Sequence, residues 1–194
     1  MLEGIADFGL VSFPRKSPKL TAVPWRAEPM MVVCQPQHPL AQQESVHPKD
    51  LAKQRYVHFD KNLDIRRKVD RFLREQGVNL HVECEFDNIE NIKQAVVMGV
   101  GVALLPEPTI RREVETGLLV AKQLEGCQLV RPMAIIQRKR HKLTSTAQRF
   151  LDLLREGQNG QANSSEIKSP FASSSPSSRS PNRVTSASKR KKKS

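Results

Sequence analysis

A chain of 194 residues with 38% apolar and 27% charged side chains is long enough for one sizeable core or two small lobes. No apolar run approaches the roughly 18 residues of a membrane span, and Met1-Leu2-Glu3-Gly4 lacks the order of a signal peptide, so the reading is cytoplasmic, with no membrane partner. The net charge is +12, but from Gly157 onward eight basic residues face only Glu166, which puts +7 there and leaves +5 for residues 1–156.

In chain order, apolar-alternating runs predict strands at Ala6–Val11, Ala22–Arg26, Met30–Gln35 and Arg55–Phe59. Leu63–Gln76 then carries Ile65, Val69, Phe72 and Leu73 at helical spacing, with Gly77 as the stop. A strand at His81–Phe86 leads to a helix over Ile89–Met98, which opens like a capping box with Asp87 as the cap and Glu90 three residues on. The segment MGVGVALLP resembles part of a phosphate loop, yet it contains neither GxGxxG nor GxxxxGKS/T and leads into a strand. It reads instead as a helix C-terminal turn feeding a buried strand at Val102–Leu105. Pro108 suits the first turn of a helix that runs to Glu115 and ends at Gly117. Strands at Leu118–Gln123 and Met133–Gln137 follow. A last helix opens at Ser145 and carries Ala147, Phe150, Leu151 and Leu154 on one face.

From Gly157 the composition shifts to Ser, Pro and Asn and ends in KRKKK. Such a stretch buries too little apolar surface to offset its ordering entropy, so residues 157–194 are predicted to be a disordered tail. Its lysines can give only weak, salt-sensitive contacts with nucleic acid.

Strands alternating with helices after Asp50 argue for an α/β fold with a parallel sheet and helices on both faces. The strands before Asp50 and the last strand–helix pair form a second, partial lobe if the chain crosses back near Arg131. In open α/β sheets, ligands sit at the carboxyl ends of strands, where helix N-termini present free N–H groups. Those positions are Ser12, Phe13, Pro14 and Arg15 from one lobe. From the other they are Phe59, Asp60, Lys61 and Asn62, then Asp87 and Asn88, then Pro106, Glu107, Pro108 and Thr109. Arg15 or Lys61 beside a helix start favours a small anion such as a carboxylate or phosphate. Plainer roles also exist: Asn62 and Asn88 as caps, Lys61 as a solvated charge, Phe13 and Phe59 as core.

No catalytic constellation emerges. The histidines 38, 47, 58, 81 and 141 do not pair at metal spacing, and GxSxG and HExxH are absent. Asp60 and Asp64 both lie at a helix start, where acids complement the dipole. Cys34, Cys84 and Cys127 form no CxxC and read as reduced structural thiols; a nucleophilic one needs His58 or His81 brought in by folding. The expectation is a protein with no catalytic residues, no metal and no cofactor.

The ordered segments ADFGLVSFP, VPWRAEPMMVVCQPQHPLA, DNIENIKQAVVMGVGVALLPEP, GLLVA and LTSTAQRFLDLL resemble the effector-binding domain of LysR-type transcriptional regulators, from about Leu2 to Leu154. HPLA and IKQAVVMGVGVALLP are its more specific parts. The resemblance implies a fold like type 2 periplasmic binding proteins, with two α/β subdomains joined by crossing strands. It implies residues 1–49 and 131–156 as a partial first subdomain and 50–130 as the second. It also implies a small-molecule effector in the cleft that changes how a homo-oligomer holds DNA. By position, Ser12, Phe13 and Pro14 match cleft contacts of the first subdomain. Phe59, Asp60, Lys61, Asn62, Pro106, Glu107 and Pro108 match those of the second. The family's winged helix-turn-helix has no counterpart here, nor do the first strand and helix of the sensing domain, so DNA would be reached only through a separate domain. A stand-alone solute-binding protein of the same fold is the alternative expectation, against which the reduced cysteines and the absent signal peptide count.

Overall fold

The structure is a computed structural model and describes residues 6–139 and 142–159. The predicted disordered tail lies outside the described residues from 160 onward, as does His141.

The first lobe is a small antiparallel sheet. Strand β8 (Val130–Arg138) runs in its centre, flanked by β1 (Phe8–Ser12) and the first part of β2 (Leu20–Cys34). Helix α4 (Ser145–Asn159) packs on it through Phe150, which stacks on Phe8 with ring centroids 5.8 Å apart. Trp25 Nε1 also donates to the Leu154 carbonyl at 3.2 Å. Leu151 and Ala147 bury the apolar stripe, while Phe150 stays half exposed.

β2 continues into the second lobe. From Met30 it pairs antiparallel with β6 (Ala103–Pro106) on one edge and with β7 (Val120–Leu124) on the other. β3 (Ser45–Val46) joins β7 in parallel, and β4 (Arg55–Phe59) joins β5 (His81–Phe86) in parallel. A parallel bridge from Tyr56 to Val102 links β4 to the β6 edge. The order is therefore β5–β4–β6–β2–β7–β3, parallel throughout except for β2. The predicted parallel sheet is present with one intruder, and the reason is topological: β2 enters from the other lobe instead of through a local crossover helix. Helices α1 (Asp64–Glu75) and α2 (Ile89–Val97) pack against β4, and α3 (Arg111–Glu115) against β7.

One core runs through this lobe, with Val32, Cys34, Leu51, Tyr56, Leu73, Ile92, Leu104 and Leu105 almost wholly buried. Met30, Val32, Val33, Cys34, Leu40 and Val46 belong to it. Residues 30–46 therefore pack with the core of the second lobe. The predicted strands at 22–26 and 30–35 are one continuous strand. Glu28 between them does not break it because its carboxylate, 2% exposed, meets Arg131 on the paired strand β8. Nε of Arg131 donates at 2.7 Å, and Arg26 Nε lies 2.8 Å from the other oxygen. A buried carboxylate needs such partners.

Three further details differ from expectation. Two 3-10 helices, Pro39–Gln42 and Pro48–Lys53, each begin with proline, and Nδ1 of His38 and His47 accepts the backbone N–H two residues on. The cap of α2 is Asn88, whose Oδ1 accepts the Asn91 N–H at 2.8 Å, so Asp87 is not the cap. The helix expected from Pro108 to Glu115 divides into a 3-10 turn at Glu107–Thr109 and the short α3. The turn after α2 is as expected: Gly99 takes φ +78°, and β6 follows fully buried. A Cβ at Gly101 would stand 2.3 Å from the Arg55 carbonyl oxygen, so the bridge to β4 tolerates only glycine there. No helix among the described residues is long and apolar enough to cross a membrane.

Candidate functional site

Helix α1 presents three faces. Ile65, Val69, Phe72 and Leu73 point to the core, and Val69 and Leu73 are fully buried. On its flank, Arg66 and Asp70 tie the helix to the sheet. Arg66 Nε donates to Asp70 Oδ2, and Arg66 Nη1 donates to Glu85 Oε1 and to the Phe59 carbonyl, all at 2.8 Å. The buried His58 completes this network. Its Nδ1 accepts the Phe59 N–H at 2.8 Å, so the proton resides on Nε2, which donates to Asp70 Oδ1 at 3.0 Å. Burial, with the nearby Arg66 charge, pushes the His58 pKa down to about 4 against the pull of Asp70, and the ring is neutral at physiological pH.

The third face carries Asp64, Arg67, Lys68 and Arg71, spaced i, i+3, i+4, i+7. Opposite stands the loop after β1. Together Phe13, Pro14, Arg15, Asp64, Arg67, Lys68, Arg71 and Pro132 line a pocket of about 290 Å³ between the two lobes. Phe13 holds the loop in place: its N–H donates to the Pro132 carbonyl at 2.8 Å, and its φ of 50° lies in the left-handed region that non-glycine residues seldom adopt. Lys68 Nζ sits 6.0 Å from the centroid of the Phe13 ring. Asp64 Oδ1 accepts from Nη2 of both Arg15 and Arg67, and the Arg67 contact leads in holding the carboxyl below its ordinary pKa. Four cations face one carboxylate in this pocket, which is a field for binding an anion.

Of the candidate site residues, the structure brings Phe13, Pro14 and Arg15 into this lining, with Ser12 immediately before them at the end of β1. The others stand outside it. The Phe59 side chain is core, 3% exposed. Asp60 Oδ1 closes a turn by accepting the Asn62 N–H at 2.8 Å. Lys61 and Asn62 are exposed, and Asn62 reaches the pocket only through its carbonyl, which accepts from Arg67 Nη1 at 3.1 Å. Neither residue caps α1, whose N-cap is Leu63 without a side-chain bond. Pro106 is buried, its carbonyl accepting from Thr109 Oγ1 at 2.6 Å; Glu107 pairs with Arg111 at 3.5 Å, and Pro108 is the middle residue of the 3-10 turn. Lys93, nearly buried, braces that turn by donating to the Thr109 carbonyl at 3.2 Å and to Glu113 at 2.9 Å. The lining cations Arg67, Lys68 and Arg71 were not among the candidates, although their helical spacing marks one polar stripe.

Both ring nitrogens of His58 are engaged within the network. Burial raises the thiol pKa of Cys34, Cys84 and Cys127, which makes each a poor nucleophile.

Residues 1–159 match the family model described as the LysR substrate binding domain. Among curated proteins, the chain is 31% identical over 120 residues to a probable RuBisCO transcriptional regulator of Cyanophora paradoxa, covering 60% of this chain and 37% of that protein. It is 27% identical over 148 residues to the RuBisCO operon transcriptional regulator of Allochromatium vinosum, covering 76% and 49%. It is 31% identical over 126 residues to the HTH-type transcriptional activator CmpR of Synechocystis, covering 65% and 41%. The chain thus spans less than half the length of these relatives. Among solved structures, the CcmR regulatory domain of Synechocystis in complex with 2-PG superposes with a TM-score of 0.72 at 24% identity, over 81% of this chain and 76% of that one. The effector binding domain of QuiR in complex with shikimate gives 0.70 at 17% identity, over 84% and 75%.

Proposed function

The chain belongs to the LysR substrate-binding-domain family, and from that premise we propose that it is the ligand-sensing module of a transcription regulator, taking a small anionic effector between its two lobes. The observation that carries this reading is the cation-rich pocket formed by the β1 loop and helix α1. Solved relatives of the same fold hold 2-PG and shikimate. Phe13, Pro14, Arg15, Arg67, Lys68 and Arg71 make the main contacts in this proposal. Ser12 and the segments 59–62 and 106–108 shape the strand ends around them. The pocket binds and does not catalyse. In the intact regulator a separate domain contacts DNA, copies of the chain pair with one another, and the assembly works in the cytoplasm.

The test is operator binding by the regulator that carries this domain, measured with and without a panel of small carboxylates and phosphates. At least one member of the panel should change the affinity or the footprint. That effect should vanish in Lys68→Ala/Arg71→Ala while ligand-free DNA binding stays the same. A panel member that binds the domain yet leaves the footprint unchanged contradicts the proposal.

A further inference from the structure

Asp64 has an unusual position for a pocket that gathers cations. It is the first residue of α1, and its single Oδ1 oxygen accepts from guanidinium groups of both lobes: Arg15, forty-nine residues earlier in the chain, and Arg67 one turn further along the helix. Among the described residues it is also the only carboxylate in the lining. Among the described residues, Lys68 and Arg71 have no carboxylate partner; Lys68 contacts the Phe13 ring instead.

We propose that Asp64 is a built-in stand-in for the anionic group of the effector, latching Arg15 to α1 until a ligand bearing at least two negative charges displaces it. This deepens, and rests on, the reading of this pocket as the effector site. The charge count supplies the selectivity. A singly charged ligand that displaces Asp64 exchanges one carboxylate for another and leaves the same cations uncompensated. A doubly charged ligand brings the further charge that Lys68 and Arg71 lack. The latch is weak enough to yield, because its side chains are 74%, 40% and 54% exposed at Arg15, Asp64 and Arg67, and exposed ion pairs contribute little. The displaced carboxylate also keeps a favourable place. As the first residue of a helix whose N-cap makes no side-chain bond, it remains beside unpartnered N–H groups and the positive end of the dipole.

The experiment titrates the whole chain, Asp64→Asn and Asp64→Ser with inorganic phosphate and with acetate by calorimetry, at mildly alkaline pH where phosphate is a dianion. Serine keeps a helix-start side chain, so one of the two variants reports even if the other folds poorly; thermal melting checks both. Wild type should prefer phosphate strongly. Loss of Asp64 should tighten phosphate about fivefold, the equivalent of one exposed ion pair, and tighten acetate by a similar factor, so that the preference for the dianion persists. Unchanged or weaker phosphate binding in the variants, with Arg71→Ala still abolishing it, overturns the latch and leaves the effector pocket standing. Absence of phosphate binding in wild type and variants alike overturns both.

Discussion

His58 shows how a single residue fixes the site from behind. It does not touch the pocket, yet its Nε2 holds Asp70, and Asp70 with Arg66 orients the helix whose next residue, Arg71, lines the cleft. Its folded pKa of about 4 lies below the ordinary histidine value near 6.5. Between those two values the unfolded chain binds the proton more readily than the folded one. The stability contributed by the neutral ring is therefore fully present above the unfolded value and is lost as pH falls from about 6.5 toward 4. Urea unfolding across that window should show stability falling as the solution is acidified, with the slope much reduced in His58→Gln. A slope untouched by the substitution would mean that other groups control the acid limb.

Among the secondary-structure elements, the caps make the sharpest prediction. Asn88 Oδ1 holds the Asn91 N–H, whereas Asp87 only accepts from the Asn88 side chain at 3.0 Å. Asn88→Ala should cost about 1 kcal/mol in chemical denaturation and Asp87→Ala much less; the reverse order would restore the capping box. From the sequence, β4 and β5 are legible to the residue and α1 and α2 within a residue or two at each end, because their apolar periods face a single core. The short 3-10 helices are not legible, since each rests on a proline and a histidine cap instead of a repeating pattern. The pocket lining escaped for a related reason. Phe13, Pro14 and Arg15 follow from the rule that strand ends bind ligands. Arg67, Lys68 and Arg71 sit on the polar side of an amphipathic helix, and spacing alone cannot distinguish solvent from another lobe across a cleft.

For the whole molecule, the proposed effector site depends on β2 and β8. β2 runs from one lobe into the other and the chain returns at the start of β8, and near this crossing the buried Glu28 meets Arg131 across the ladder and Arg26 along its own strand. The sequence implied the crossing near Arg131 but divided β2 in two, because a charged residue between prolines resembles a break until its partner on β8 is known. This frame sets the β1 loop opposite α1 and so creates the cation-lined cleft. The most direct test is equilibrium titration of the full chain with inorganic phosphate, followed by the backbone amide signals of Phe13–Arg15 and of residues 64–71. We predict saturable binding at one site that shifts both segments together and weakens at least about tenfold in Lys68→Ala/Arg71→Ala. Phosphate that leaves those signals unmoved, or that binds the double variant as well as the wild type, would contradict the assignment of the effector site to this cleft.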